Sequence, residues 1–467
     1  MSSNPPWPTS ALEAYEPIRP LGKGGFGSVY LAKKRDVPEG ADTGVDTLVA
    51  MKTVGREGAS ASRTRSEAGY AKREVQILTE LEHPRIVRLI DVFYEDEKKG
   101  GDPVPRCIAL SLARGPTLEL MLKKGGALGL PMAREITIQL VDTIAYLHSC
   151  AVIHRDIKPD NIVISGANPT SEECYSDGLD GEQAVKEKRF NITLIDFGFA
   201  RALKPSEIKT DLGLSNLVEN VAPGLPMENG SKQLNPAVLA SLEAPIDDGS
   251  QHGKKTKRGR KAALDRSMSR QIVRDLSALG QRSYAAPEIT RGVRQFTSSL
   301  SISIHGSIHR GRNSGKQSSR RDADSDRPLA ECVSDYGMVA DAFSLGATCR
   351  YMLTGVPPHI AVDESFIAMQ KTPIAKVSKL ASKALKKITG KKEVRGKKYR
   401  SVAELPPDAG QLIHSLTHWD PSKRTTVRGA KLFAWIRAKD YDGEEQPSNN
   451  DVRFLKCALP EGVEEPV

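Results

Sequence analysis

The stretch His154-Arg155-Asp156-Ile157-Lys158-Pro159-Asp160-Asn161 is the most informative part of this 467-residue chain. It places in one loop a carboxylate that can accept a proton (Asp156), an amine that can contact a phosphate (Lys158) and an amide that can bind a metal ion (Asn161). Transfer of a phosphoryl group from a nucleotide needs such groups, because the reaction depends on positioning and on stabilising negative charge. A polar turn without chemistry is the alternative, but it does not explain so many specified residues together.

A second carboxylate that suits a metal ion follows at Ile195-Asp196-Phe197-Gly198. Two short apolar runs precede it, Ile162-Val163-Ile164 and Ile192-Thr193-Leu194-Ile195. They predict a hairpin that leads directly into Asp196. Asn161 and Asp196 are therefore both candidate metal ligands.

A glycine-rich stretch near the N-terminus runs from Leu21 to Val29 and reads Leu-Gly-Lys-Gly-Gly-Phe-Gly-Ser-Val. On its own a GxGxxG pattern is a weak signal. The residues after the glycines favour a strand, whereas a dinucleotide-binding fold requires a helix there. A third strand, 48–52, then ends in Lys52. We therefore predict a glycine turn between two strands, followed by a strand that carries a lysine.

Two amphipathic helices and two further strands are predicted after this region. Helix 67–82 has an apolar stripe and carries Glu74. Helix 131–149 is opened by Pro131, a residue favoured at the first helical position. The strands are expected at 86–93 and 106–112.

Composition indicates a globular protein, with 39% hydrophobic and 27% charged residues. The six cysteines show neither a CxxC pair nor a framework spacing, so we expect neither disulfides nor a zinc site. The start of the chain has no apolar run, and no stretch of about 18 apolar residues occurs. Neither a signal peptide nor a transmembrane segment is therefore expected.

The net charge of +10 is concentrated in two segments. Residues 254–270 contain eight Lys or Arg and one acidic residue, and residues 371–400 contain twelve and one. The rest of the chain is acidic, so a nucleic-acid partner is not expected. The segment 371–400 also has apolar residues at helical spacing, which favours a packed helix. A docking surface for an acidic partner or an anionic lipid surface stays open as the alternative.

Three stretches have compositions too polar to fold alone, and we expect them to be disordered insertions. They are 166–189, 205–275 and 291–333. The Pro- and Ser-rich leader 1–14 is also expected to be unstructured, and residues 437–467 form a C-terminal tail.

Taken together, these motifs resemble the eukaryotic protein kinases of the Ser/Thr type. The resemblance covers roughly 15–436 without the insertions. It implies an α+β, bilobal fold in which a small antiparallel-sheet lobe with one helix (15–112) sits on a larger, mainly helical lobe (113–436). It also implies transfer of the γ-phosphoryl group of ATP, with Mg²⁺, to protein substrates.

The resemblance assigns a role to each motif residue. Asp156 corresponds to the catalytic base, Lys158 to the lysine that steadies the phosphate, and Lys52 with Glu74 to the ion pair at the nucleotide phosphates. Asn161 and Asp196 correspond to the Mg²⁺ ligands. The nucleotide-binding set implied by the family is Leu21, Gly22, Lys23, Gly24, Gly25, Phe26, Gly27, Val29, Ala50, Lys52, Leu110 and Leu112.

Two further matches belong to the larger lobe. Ala286-Pro287-Glu288 resembles the end of the activation segment, and Arg424 resembles the arginine that pairs with that glutamate. Asp341-Ala-Phe-Ser-Leu-Gly346 resembles the helix start that holds the catalytic loop.

The activation segment departs from the family pattern. It spans 92 residues from Asp196 to Glu288, several times the usual length, although closing a longer loop costs little free energy. Ser277 lies where the family carries its regulatory phosphosite, and Arg155 is the residue that would receive that phosphate. Gln281 stands where Ser/Thr members usually have Thr, which affects the expected preference for the substrate hydroxyl.

The sequence thus predicts a Ser/Thr protein kinase regulated through its activation segment. A catalytically impaired pseudokinase is the alternative, although Lys52, Asp156 and Asp196 are all present. A cytoplasmic location is expected. The basic run 254–261 would fit nuclear import as well as it fits a solvated loop.

Overall fold

A computed structural model describes most of the chain. The described residues are 5–23, 27–35, 47–55, 61–94, 103–187, 190–203, 236–244, 283–287, 338–362, 397–419 and 421–437. Several predictions fall outside them: Gly24, Gly25, Phe26, Ser277, Gln281, Glu288, the basic run 254–261, the insertion 291–333, residues 371–396 of the basic segment, and the tail from 438.

The secondary structure divides into a strand-rich first part and a helix-rich second part. The strands are β1 Tyr15–Lys23, β2 Ser28–Lys34, β3 Leu48–Thr53, β4 Leu89–Tyr94, β5 Pro105–Ser111, β6 Val152–Ile153, β7 Ile162–Ser165, β8 Asn191–Leu194 and β9 Arg201–Ala202. The helices are α1 Thr9–Ala14, α2 Ala61–Glu80, α3 Leu118–Gly125, α4 Leu130–Ser149, α5 Leu179–Lys186, α6 Pro236–Glu243, α7 Val339–Thr354, α8 Pro407–Leu416 and α9 Val427–Ala430. Short 3₁₀ turns lie at Pro159–Asn161, Glu173–Tyr175, Val402–Glu404 and Pro421–Lys423.

The small lobe is built on a five-stranded antiparallel sheet in the order β1-β2-β3-β5-β4. Side chains alternate between its two faces, as the pleat requires. On β3, Val49 and Met51 are buried on one face, whereas Lys52 belongs to the other. Helix α2 covers the second face, and its apolar residues Ile77 and Leu78 join the main core. The expected antiparallel sheet lobe with one large helix is confirmed.

The leader is a first correction, because the described residues 5–14 are folded. Trp7 is buried and packs edge-on against Tyr30, with ring centroids 5.8 Å apart. Helix α1 buries Ala11 beside it. The sheet has an apolar face on the side away from α2, and this face needs a cover. The leader covers this face with only a few apolar side chains, among them Trp7 and Ala11. Because those residues are few, the composition of the leader predicted disorder.

The larger lobe is organised around α4 and α7. Every residue of α7 is buried, so this helix is central rather than amphipathic. Gly346 on α7 permits close packing, because a Cβ there would lie 2.8 Å from the Leu416 side chain at the end of α8. The predicted hairpin is confirmed, since β7 pairs antiparallel with β8. No helix in the described ranges is long and apolar enough to cross a bilayer.

The stretch 166–189 is a second correction. Residues 166–187 are folded and contain α5 and a 3₁₀ turn in which Cys174 and Tyr175 are buried. The Tyr175 ring fills the space left by Gly125, where a Cβ would approach within 2.1 Å. The Tyr175 hydroxyl donates to the Met121 carbonyl at 3.1 Å. Three buried side chains, those of Cys174, Tyr175 and Ala184, suffice because they join an existing core, a situation that composition alone cannot reveal.

The same stretch also holds the end of the basic segment 371–400. Asp177 accepts a hydrogen bond from Arg400 Nη2 at 2.8 Å and one from Lys398 Nζ at 2.5 Å. These two basic side chains are therefore used within the fold.

The insertion 205–275 is corrected in part. Helix α6 lies inside it, and Leu242 near the end of α6 is fully buried against the larger lobe. This helix docks onto apolar surface that other elements provide. Its apolar residues form a short run inside a long insertion that is polar as a whole, so the composition of 205–275 did not predict it.

Candidate active site

A buried lysine with two carboxylates forms the centre of the site. Lys52 Nζ lies 2.7 Å from Glu74 Oε1 and 2.8 Å from Asp196 Oδ1. The three residues come from β3, α2 and the turn after β8, and 144 positions separate Lys52 from Asp196. The fold therefore brings together the groups that the sequence motifs singled out.

Local structure fixes both carboxylates. Glu74 faces inward from α2 and is only 2% exposed. Asp196 adopts a left-handed backbone conformation with φ +63°, which is unusual for a residue with a side chain. The next residue, Phe197, is fully buried and packs edge-on against His154 with ring centroids 4.8 Å apart. This packing holds Asp196 against the catalytic loop.

The catalytic loop forms a compact network around Asp156. Lys158 Nζ donates to Asp156 Oδ2 at 2.7 Å, and Asn161 Nδ2 donates to the same oxygen at 2.8 Å. Asn161 Nδ2 also donates to the Asp156 carbonyl at 2.8 Å. The Asn161 amide oxygen is thereby oriented away from Asp156, as a metal ligand would need to be.

Asp341, at the start of α7, supports this loop from beneath. Its carboxylate accepts the backbone N–H of His154 at 2.8 Å and that of Arg155 at 2.9 Å. His148 Nε2 lies 3.0 Å from the same carboxylate. Arg155 has φ +65°, so the loop is held in a strained turn. The sequence identified Asp341 but not His148, whose position at the end of α4 gave no recognisable signal.

Burial and neighbouring charges shift the pKa values of the three carboxylates at the site in different directions. Burial raises the pKa of Asp156 above its ordinary value, and the neighbouring Lys158 opposes that rise. Burial also raises the pKa of Asp196, but the charge of Lys52 outweighs it and lowers the pKa to about 2. For Glu74, burial prevails over Lys52, so its pKa lies above the ordinary value. Asp196 is thus ionised at neutral pH, as a metal ligand must be.

Four of the expected nucleotide-binding residues share one face of the small sheet, namely Val29, Ala50, Lys52 and Leu110. The register places Val29 opposite Lys52 and Ala50 opposite Leu110. Gly27 lies so close to β3 that a Cβ there would be 2.0 Å from the Thr53 carbonyl oxygen. The other described members are Leu21, Gly22, Lys23 and Leu112, of which Leu21 is largely exposed.

Comparisons with known proteins agree with this arrangement. Residues 15–219, which contain every candidate catalytic and metal-binding residue, match the family model described as protein kinase domain. Residues 15–219 form a protein kinase domain.

Several curated kinases resemble this domain at modest identity. An Aurora kinase of Schizosaccharomyces pombe is 30% identical over 211 residues, which cover 45% of this chain and 48% of that protein. Serine/threonine-protein kinase pkn2 of Myxococcus xanthus is 31% identical over 193 residues, covering 40% and 18%. Serine/threonine-protein kinase 36 of Pongo abelii is 29% identical over 192 residues, covering 41% and 11%. The chain therefore spans less than half the length of these relatives.

Among solved structures, that of the Rad53 kinase domain and SCD2 covers 93% of this chain and 92% of that chain. The sequence identity is 17% and the TM-score is 0.42.

A group of arginines lies beside the kinase catalytic loop. Burial and the neighbouring charges of Arg201 and Arg73 lower the pKa of Arg155 to about 9. Arg155 Nη2 is buried and has no hydrogen-bond partner among the described residues. The sequence singled out Arg155 but missed Arg73 and Arg201, because their positions on α2 and β9 meet only in the folded chain.

The end of the activation segment is held by α7. Ser344 Oγ donates to the Tyr284 carbonyl at 2.8 Å, and Ala286 is fully buried. Arg424 is buried, donates to the His418 and Val339 carbonyls at 2.9 and 3.0 Å, and stacks over Phe343. The predicted partner of Arg424, Glu288, lies outside the described residues.

Proposed function

We propose that this protein transfers the γ-phosphoryl group of ATP to serine or threonine hydroxyls of protein substrates. The observation that carries the proposal is the position of Lys52 Nζ, within 2.8 Å of both Glu74 and Asp196. In this arrangement the lysine that contacts the nucleotide phosphates and a carboxylate that suits the metal ion lie in one cleft.

The chain's own residues account for the chemistry at the hydroxyl. Asp156, which is buried within the loop, orients the substrate hydroxyl and accepts its proton. The hydroxyl oxygen forms a bond to the γ-phosphorus, and the bond from that phosphorus to the oxygen bridging it to the β-phosphate breaks. ADP leaves with the electron pair. Lys158 and Lys52 compensate the negative charge of the phosphates during this step.

The donor atoms near the cleft fit Mg²⁺. Asn161 and Asp196 offer hard oxygen ligands, and Mg²⁺ is usually held by one or two protein carboxylates together with substrate phosphates. Among the described residues no cluster of three or more His, Cys, Asp or Glu side chains could hold a metal ion alone. This agrees with an ion shared with a nucleotide. When bound, Mg²⁺ neutralises phosphate charge.

Ser/Thr specificity is supported by the loop sequence and by the relatives. The loop reads Ile-Lys-Pro-Asp-Asn from 157 to 161, a form associated with Ser/Thr members. The curated relatives named above include two serine/threonine-protein kinases. Gln281 departs from the family pattern, so the hydroxyl preference needs measurement with Ser, Thr and Tyr peptides of matched sequence.

Regulation through the activation segment is part of the proposal. The buried Arg155 Nη2 and the positive charges of Arg73 and Arg201 favour an anion at this position. A phosphate on Ser277 would supply that anion. Full activity of Ser277→Ala in protein never exposed to another kinase would contradict this part alone.

The catalytic proposal is tested by γ-phosphoryl transfer to a mixture of generic protein substrates. We expect turnover in the wild type and its loss by orders of magnitude in Asp156→Asn and Asp196→Asn. The matched control is Asp142→Asn, which neutralises a partly exposed carboxylate of α4 that pairs with Lys431. If nucleotide binds but the wild type and Asp156→Asn turn over equally slowly, the pseudokinase alternative holds.

A further inference from the structure

The strongest unassigned feature is a buried arginine on α7. Arg350 is only 1% exposed, yet among the described residues its hydrogen bonds go to backbone carbonyls and not to a carboxylate. Burial without a paired anion lowers its pKa to about 10. A buried cation needs compensating negative charge or dipoles.

The compensation comes from the C-terminal end of α6. Arg350 Nε donates to the Leu242 carbonyl at 2.9 Å, and Nη2 donates to the Ala244 carbonyl at 3.1 Å. The carbonyl between them, that of Glu243, accepts the backbone N–H of Val362 at 2.8 Å. The last carbonyls of a helix lack partners within it and carry partial negative charge. The larger lobe therefore caps α6 through three successive carbonyls.

Two side chains add specificity to these backbone contacts. Leu242 is fully buried in the main core. Ser241 Oγ lies 2.7 Å from His414 Nδ1 on α8. Arg350 also donates to the Ile360 carbonyl at 3.0 Å, so its guanidinium joins α6 to the loop after α7. One helix end is thus recognised by charge, by an apolar contact and by a hydrogen bond.

We propose that the pocket around Arg350 is an intramolecular docking site whose ligand is the C-terminal end of a short, leucine-bearing helix. Helix α6 occupies it and fixes the middle of the activation segment to the larger lobe. Residues 204–235 and 245–282 connect α6 to the rest of the domain. Because α6 and the pocket belong to one chain, the effective concentration of α6 at the pocket is high, so modest contacts hold it in place. Docking of α6 at this pocket does not require phosphoryl transfer.

Hydrogen exchange in the full-length protein tests the docking. The reporter is the amide of Val362, which belongs to the larger lobe but donates to α6. In Leu242→Asp we expect this amide to exchange at least tenfold faster than in the wild type, because a carboxylate would enter the apolar pocket. The matched control is Ala240→Asp, which places the same charge on an exposed position of the same helix and should leave the rate unchanged.

A second measurement tests whether the pocket around Arg350 binds the α6 sequence when it is supplied as a separate peptide. Residues 236–244 are replaced in the full chain by a Gly-Ser sequence of equal length, and a synthetic peptide of residues 234–246 is added. Restored protection of Val362 by this peptide, but not by its Leu242→Asp form, is the expected result. Equal exchange of Val362 in the wild type and Leu242→Asp would overturn the proposal. So would a peptide that restores no protection at millimolar concentration.

Discussion

Lys52 Nζ and Glu74 form a buried ion pair of 2.7 Å that joins the central strand of the small lobe to its helix. The pair aims Lys52 into the cleft, where its ammonium also meets Asp196. Lys52 and Glu74 are both buried, so removing the charge of one would leave the charge of the other buried with one partner fewer.

The first prediction concerns this pair. Glu74→Gln keeps the shape of the side chain but removes its charge, so Lys52 loses one of two carboxylate partners. We expect kcat/KM for ATP-dependent phosphorylation to fall about 10- to 100-fold, because a small displacement of a positioning group is costly. Steady-state kinetics measure it. Glu80→Gln, at the end of the same helix, is the control and should remain near the wild-type value.

The second prediction concerns pH. Asp156 must be ionised to accept a proton, and burial raises its pKa above the ordinary value of about 3.9. Activity should therefore fall as the pH drops through that raised pKa. Lys158 favours the ionised form, so Lys158→Met should raise the pKa further and move the acid limb of the pH–kcat/KM profile to higher pH. A limb that stays in place or moves to lower pH would contradict the assignment of Asp156 as the base.

The third prediction concerns the support of the catalytic loop. Asp341 accepts hydrogen bonds from the backbone of His154 and Arg155 and contacts His148, all within the buried core. In Asp341→Asn one of these donors would face an NH₂ group. We expect a loss of about 3 kcal/mol in the free energy of unfolding, measured by denaturant titration. An unchanged stability would show that the loop does not depend on this carboxylate.

The fourth prediction concerns the folded part of the stretch 166–189. Tyr175 is fully buried, so Tyr175→Ala should reduce stability by about 3 kcal/mol or more. Leu179, four residues later, is 82% exposed and provides the control. Leu179→Ala should change the free energy of unfolding by no more than about 0.5 kcal/mol. Equal effects of the two substitutions would mean that this stretch does not pack as described.

The fifth prediction concerns the leader. Trp7 covers the sheet face formed in part by Val49 and Met51. Trp7→Ala should lower the stability of the protein by about 3 kcal/mol, and thermal unfolding would report it as a lower Tm. Ser10→Ala, at an exposed position of α1, is the control and should leave the Tm close to the wild-type value.

Much of the site could be predicted from the sequence because its residues lie in short motifs of fixed spacing. Asp156, Lys158 and Asn161 lie within six positions of the chain. The conformation of that one short loop is enough to bring their side chains into contact. The strand Lys52 and the helix residue Glu74 were identified by the resemblance to a family, which supplied the pairing that spacing does not contain. Arg73, Arg201 and His148 escaped prediction, since each acts through a neighbour that is distant in the chain.

The amino-acid sequence by itself determined the order of strands and helices around the site and the chemical identity of its groups, since propensity and periodicity are local properties. Only the tertiary structure decided that Trp7, Tyr175 and Leu242 are buried. Each lies in a segment with too few apolar residues to form a core alone, and each is stabilised by apolar surface that residues far along the chain provide. The free energy of such burial depends on that partner surface, which the surrounding sequence does not record.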